Sequence, residues 1–375
     1  MMLWSGRSTG WSRFGTRGVA IRALVAVVAA LSLVACGSDD PDAPGGGPGA
    51  TGPDETGDGG TTELVSVTLV LDFLMDGNKA PFALGKEKGF FSDRGIDLEI
   101  VEGTGSSDAV TFVANGRFDF GLAATPAVAQ AIASDVPVIE VAVHQPRSQE
   151  VILVHADSGI DELTGLEGGS IVTAQTSDSE TFLRPVLENA GVDLDQVEIV
   201  PVDINAADRV FLQRQYDALA NPFEATIAMK QAEPDLDVRA FWYSDYGLGV
   251  MNQGLVTHRD RVAEDPELVA AMVEAYAESY LYAAANPDEL VEVVSGVYDT
   301  VDPEVLTAEF ELAMALVGTP NTEGHAFGYM APEDWTIMLD LLTSTGALET
   351  DKTAEDFYTN EFIGEWDSLT PTEPA

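Results

Sequence analysis

The rhythm of apolar positions changes twice along the chain. Between Leu64 and about Ala240, short apolar runs alternate with segments in which apolar residues recur every three or four positions. The runs Val65–Phe73, Asp97–Val101, Phe118–Ala123, Pro137–Val143, Val151–His155, Ser170–Ala174, Val197–Val200, Ala218–Ala220 and Val238–Phe241 predict strands. The segments Pro81–Phe91, Ser106–Gly116, Pro126–Ser134, Ser179–Ala190, Ala207–Arg214 and Phe223–Gln231 predict helices. The second of these opens on a Ser cap, and Gly95 and Gly116 serve as turn residues. Strands separated by helices in this way imply βαβ units and parallel sheets. Beyond His258 the pattern turns helical, over Pro266–Ala285, Pro287–Tyr298, Pro303–Leu316 and Pro332–Gly346. Each of these starts with Pro in the first turn, where a missing N–H leaves no helical bond unmade. No repeat of fixed period is visible.

The other change of rhythm falls before Leu64. Arg7, Arg13, Arg17 and Arg22 precede the uncharged run Ala23–Ala35, and small residues lead into Cys36, the only cysteine. Thirteen apolar residues span only about 20 Å as a helix, short of a bilayer core, so residues 1–36 read as an export signal. Leu33-Val34-Ala35-Cys36 resembles a bacterial lipobox, which implies cleavage before Cys36 and a lipid on its sulfur. Residues 37–64, rich in Gly, Pro and Asp, bury too little surface to offset their ordering entropy and read as a flexible tether. The protein is expected on the outer face of the cytoplasmic membrane.

Composition narrows the function. The chain carries 63 acidic against 18 basic residues, a formal net charge of −45, which excludes a nucleic-acid partner. The four histidines, His144, His155, His258 and His325, have no metal-ligand spacing and no second cysteine to join. No nucleophile elbow, Walker loop or dinucleotide fingerprint occurs. The stretch Gly103–Ala109 lacks the Gly-Lys-Ser/Thr of a phosphate loop and reads as a strand-to-helix turn.

More informative is a set of aromatic and polar residues at the ends of predicted strands. The first strand leads to Asp72, Phe73, Asn78 and Phe82, and a later one to Thr125 and Pro126. Others lead to Gln175, Thr176 and Ser177, to Asn221, Phe223 and Glu224, and to Trp242, Tyr243 and Tyr246. Parallel α/β sheets bind ligands outside the carboxyl ends of their strands. Rings that stack and carboxylates that accept hydrogen bonds suit a flat, nitrogen-rich heterocycle better than an oxyanion.

Four stretches carry a family resemblance: "LVLDFLMDGNKAPFALGKEKGFFSDRGIDLEI", "SSDAVTFVANGRFDFGLAATPAVAQA", "GHAFGYMAPEDWTIMLDLLTSTGAL" and "FYTNEFIGEW". From about Val67 to Trp366 the chain resembles substrate-binding lipoproteins of bacterial ABC importers. That group includes aliphatic-sulfonate binders and binders of the thiamine pyrimidine precursor. The resemblance implies an α/β clamshell of the type II periplasmic-binding-protein kind. Lobe one would comprise residues 65–156 and 252–366, with the C-terminal helices packed on it, and lobe two residues 157–251. The hinge would lie near Ala156–Gly159 and Val250–Gly254, with the ligand in the cleft. The expected ligand-binding set is Asp72, Phe73, Asn78, Phe82, Thr125, Gln175, Thr176, Asn221, Glu224, Trp242 and Tyr246, with Cys36 lipidated.

The implied partners are a small-molecule ligand, a membrane permease and the membrane itself through the lipid, the protein acting as a monomer. No catalytic residue, metal or cofactor is implied. The favoured ligand is a small nitrogen heteroaromatic such as an aminopyrimidine thiamine precursor. A riboflavin-like, sulfonate or nitrate ligand is the alternative, with Arg147 or Arg184 as anion anchor. The alternative from another class is a pyrimidine-precursor synthase. Two departures bear on these readings. The branch's Asn-His-x-Gly is Asn78-Lys79-Ala80-Pro81 here, and Gly247–Asn252 lacks the cysteines of the fungal synthases.

Overall fold

The structure is a computed structural model that describes residues 64–175 and 177–372. The export segment, Cys36, the tether and Thr176 lie outside the described residues. Among these there are ten strands: β1 Val65–Val70, β2 Ile96–Val101, β3 Phe120–Ala124, β4 Val138–Gln145, β5 Glu150–His155, β6 Ser170–Ala174, β7 Glu198–Val202, β8 Ala218–Pro222, β9 Val238–Trp242 and β10 Gln253–His258. They form two five-stranded sheets, in the orders β2-β1-β3-β10-β4 and β7-β6-β8-β5-β9. The helices are α1 Ala80–Lys88, α2 Ser106–Ala114, α3 Thr125–Ala133, α4 Asp178–Asn189, α5 Ile204–Leu212, α6 Ala225–Ala232, α7 Arg259–Glu264, α8 Pro266–Ala285, α9 Pro287–Val297, α10 Pro303–Ala315 and α11 Pro332–Ser344. This is the two-lobed periplasmic-binding-protein fold.

The sheets are mixed rather than parallel. In the first, β1 pairs in parallel with β2 and β3, while β10 runs antiparallel between β3 and β4. In the second, β6 is parallel to β7 and β8, while β5 is antiparallel to β8 and β9. The antiparallel strands are those by which the chain enters lobe two and returns from it, so no helical crossover fixes their direction.

The expected lobe boundary at 156 also moves. Strand β5 belongs to lobe two, because its backbone pairs from Glu150↔Pro222 onward with β8 and β9. The first crossing is therefore 146–149, not Ala156–Gly159, which forms a short turn after β5 ending in Gly159 at φ 78°. The second connection, 243–252, is tied to the end of β4. Asn252 N–H donates to Gln145 C=O at 2.9 Å, and Asn252 Nδ2 to Gln145 Oε1 at 2.7 Å.

Local chemistry explains the helix ends. Asp265 accepts from Leu268 N–H ahead of α8, and Asp302 from Glu304 and Val305 N–H ahead of α10, each just before a proline. The Ser cap expected for α2 is absent. Gly105 holds that position, and Ser106 Oγ instead accepts from Ala124 N–H at 3.0 Å.

One face of sheet one packs against α1, α8, α9 and α10 through Leu69, Phe82, Tyr276, Tyr280 and Leu306. Its other face joins a second core that continues through α2, α3 and α11 into lobe two. On lobe two's remaining face, Phe211, Leu219 and Trp242 meet Leu312 of α10 and Leu316 just beyond its end, so α10 touches both lobes. The outer edge of β4 is closed by a late segment: Glu140 N–H donates to Phe357 C=O at 3.2 Å, and Thr359 N–H to Glu140 C=O at 3.0 Å. Among the described residues no helix is long and apolar enough to cross a membrane.

Candidate functional site

Beyond the end of β1 the chain makes a loop through Lys79. Lys79 is 3% exposed, and its ammonium lies 3.2 Å from Asp72 Oδ1 and also bonds Asp76. Burial alone would lower its pKa, but the charges of Asp76 and Asp72 outweigh burial and raise it. The rest of the loop is held from outside. Met75 N–H donates to Glu102 and Gly77 N–H to Glu309, each at 2.8 Å. Tyr280 O–H donates to Asn78 C=O at 2.6 Å, and Asn78 Nδ2 donates to Gln253 Oε1. Phe73 stands out from this pinned loop, 58% exposed.

Glu224 faces the loop from lobe two, at the start of α6. Its pKa is raised by burial and by the charges of Asp76 and Asp72, against the pull of Lys79. Its surface is nonetheless open to solvent. Glu309 of α10 behaves alike: burial raises its pKa, its bond from Gly77 lowers it, and Asp76 and Glu224 raise it further. Asp72, Asp76, Glu224 and Glu309 thus share one electrostatic neighbourhood that spans the two lobes, with Lys79 as the cation among them.

The other expected residues divide. Thr125 is fully buried and donates to Glu140 Oε1 at 2.9 Å. Asn221 donates to Asp208 within lobe two at 2.8 Å. Gln175 is exposed at the end of β6, and Tyr246 is half-buried on the second connection. Two assignments are corrected. Phe82 is fully buried in the aromatic core, 5.2 Å from the Tyr276 ring and 5.8 Å from Tyr280, and offers no face to a ligand. Trp242 is stacked on Phe223 at 5.0 Å and covered by the Arg147 guanidinium at 4.6 Å. Its ring already has its partners.

Sequence reasoning did not single out Asp76, Glu309 or Gln253, and it met Lys79 only as a departure from the family motif and His144 only as a histidine without metal-ligand spacing. The spacing Asp72-x₃-Asp76-x₂-Lys79 could have suggested the ion-paired loop. Nothing local connects Glu309 to Gly77, which is 232 residues away.

Two hollows lie beside the connections between the lobes. One of about 100 Å³ lies beside both connections, lined by Ser148, Glu150, Phe182, Tyr243 and Asn252, and is too small for most ligands. A larger one, about 940 Å³, lies between Arg147, Ser244 and Asp245 and the segments 318–324 and 368–371. Of its charged groups Arg147, Asp245 and Asp334 are engaged, and Glu323 is exposed. Arg147 bonds Ser244 and Asp245, and Asp334 accepts from Thr319 and Asn321.

Comparison with known proteins agrees with this architecture. A family model described as NMT1/THI5 like matches residues 76–290. A formylaminopyrimidine-binding protein of Halalkalibacterium halodurans is 25% identical over 304 residues, covering 79% of this chain and 90% of that protein. A 4-amino-5-hydroxymethyl-2-methylpyrimidine phosphate synthase of Saccharomyces cerevisiae is 31% identical, but over 96 residues only, 26% of this chain and 28% of that protein. Among solved structures, the periplasmic aliphatic sulphonate binding protein of Escherichia coli superposes with a TM-score of 0.59 at 15% identity, covering 83% of this chain and 97% of that one.

Proposed function

The chain belongs to the NMT1/THI5-like family, and from that premise we propose that it is the extracytoplasmic solute-binding protein of an ABC importer. Its solute is a small nitrogen heteroaromatic of the aminopyrimidine type, bound between the lobes. The observation that carries this reading is the charge coupling of Glu224 on lobe two to Asp72, Asp76 and Lys79 on lobe one, beside the exposed ring of Phe73. A stacked ring adds roughly 0.5–1.5 kcal/mol beyond burial, and a hydrogen bond to a charged group roughly 1.5–3 kcal/mol. A few such contacts reach micromolar affinity, about −8 kcal/mol. The relative named for formylaminopyrimidine binding supports this solute class.

A sulfonate or nitrate fits the side chains less well. It requires cations in the cleft, whereas Lys79 is held by Asp72 and Asp76 and Arg147 by Ser244 and Asp245, and Arg184 lies exposed on α4 of lobe two. The fungal synthase resembles only a quarter of the chain, and Gly247–Asn252 has no cysteine, so binding without turnover is the favoured reading. Cys36 carries the lipid, and closure presents the protein to a permease.

Isothermal calorimetry decides the solute class. Formylaminopyrimidine is expected to bind with one-to-one stoichiometry and without product formation. Binding of taurine or alkanesulfonates instead overturns the assignment. Glu224→Gln weakens binding and leaves folding intact. Asp72→Asn weakens binding too, and also removes one partner of Lys79. Cys36→Ser releases the protein from membranes.

A further inference from the structure

Behind the acidic loop, lobe one holds a line of buried polar groups that the binding reading leaves unused. His144 lies on β4 and is fully buried, and Gln253 opens β10 at 5% exposure. Gln253 Oε1 meets two nitrogens, His144 Nε2 at 3.2 Å and Asn78 Nδ2. A carbonyl oxygen only accepts, so both nitrogens donate to it. With this placement of the Gln253 amide, His144 carries its proton on Nε2, and its Nδ1 has no partner in the protein. Burial holds this imidazole neutral by lowering its pKa to about 3, a shift opposed by the Gln253 bond and aided by the Lys79 charge. On Asn78, Nδ2 is committed to Gln253 and the backbone carbonyl to Tyr280, while Oδ1 has no partner in the protein.

The arrangement has one self-consistent alternative. With the proton on Nδ1, His144 Nε2 would accept. Gln253 would then turn its amide over to donate, and Asn78 would turn over to accept with Oδ1, leaving its amide N–H₂ for a ligand. The two states give Asn78 opposite polarity, and they differ in which nitrogen of His144 carries the proton.

We propose that Gln253, oriented by His144, is a positioning residue that sets Asn78 as a hydrogen-bond acceptor, so that the solute must bring an N–H or O–H donor to that point. This rests on the reading of the cleft as the solute site, and it adds the polarity of one contact.

Two measurements on the full-length protein test it. In ligand-free protein labelled with ¹⁵N-histidine, long-range ¹H–¹⁵N correlation spectra report each tautomer, and the signal lost in His144→Asn identifies His144. The Nε2–H tautomer is expected, and the Nδ1–H tautomer overturns the proposal. The second measurement compares formylaminopyrimidine with the analogue whose ring amino group is replaced by oxo. The wild type is expected to favour the amino compound at least tenfold, and Gln253→Met to bring that ratio within about threefold of unity. A ratio unchanged by Gln253→Met overturns the proposal, because a purely structural loss would weaken both compounds alike. Should neither pyrimidine bind, the solute assignment fails, and the tautomer still decides the role of Gln253.

Discussion

On the lobe-one side, the loop to Lys79 is fixed by an internal ion pair, by bonds it donates to Glu102, Glu309 and Gln253, and by one it accepts from Tyr280. On the lobe-two side, Glu224 feels the same charges without a hydrogen bond of its own. The difference teaches how the site divides its tasks. Lobe one presents a preorganised surface whose ordering entropy the fold has already absorbed. Lobe two contributes an acid whose energy depends on how near the lobes stand. Substitutions on the first side should therefore act mainly on stability, and substitutions on the second mainly on affinity.

The largest expected effect comes from Glu140, behind the lobe-one surface. Burial pushes its pKa up to about 8, partly countered by the Thr125 hydroxyl. A carboxyl raised in the folded state contributes stability that is full below its unfolded pKa and is lost as pH rises through the folded value. The loss should run from about pH 4.5 to about pH 8. Glu140→Gln should then be more stable than wild type at pH 9, by on the order of 3–5 kcal/mol, in urea denaturation. Equal pH profiles would contradict this. Buried His144 has the opposite sign, its contribution being lost as pH falls from about 6.5 to about 3.

Next is Lys79→Met, which leaves Asp72 and Asp76 without their cation. Breaking a buried pair costs about 3–5 kcal/mol. Because both carboxylates keep some solvent contact, about 2–4 kcal/mol is expected here, and a change below about 0.5 kcal/mol would show that the ion pair does not hold the loop. Gly77→Ala follows. Its new Cβ would collide with Phe310 N and with Glu309 Cβ, costing about 1–3 kcal/mol of overpacking, visible as a lower Tm. Smallest in stability is Glu224→Gln, within about 0.5 kcal/mol of wild type, although solute affinity should fall about tenfold or more. If Glu224→Gln instead unfolds the protein, the contrast between the two sides is wrong.

Much of the fold was legible because it is written locally. Pro266, Pro287, Pro303 and Pro332 each begin a helix, as their position in an apolar periodic segment predicts. Strand partners are not local. Nothing in Val151–His155 tells whether its backbone will meet β4 or β8, so the crossing was placed one strand too late. Strand β10, "QGLVTH", went unassigned among the helices that follow it. The candidate site was legible to the same depth. Asp72, Asn78 and Glu224 lie at strand or loop ends, where topology puts them within reach of one neighbourhood. Phe82 and Trp242 misled because an aromatic side chain gives no sign of whether its neighbours in space already cover it.

The segment that closes the outer edge of β4 has a bearing on how the molecule is made. Lobe two draws its sheet from one uninterrupted stretch, Glu150 to Trp242, and can assemble as soon as that stretch is free to fold. Lobe one must wait for β10, then for α8 to α11, and last for residues 357–359. Until those arrive, β4 displays an unpaired backbone rich in valine. A chain truncated before Phe357 would therefore carry a finished lobe and one with an open, sticky edge.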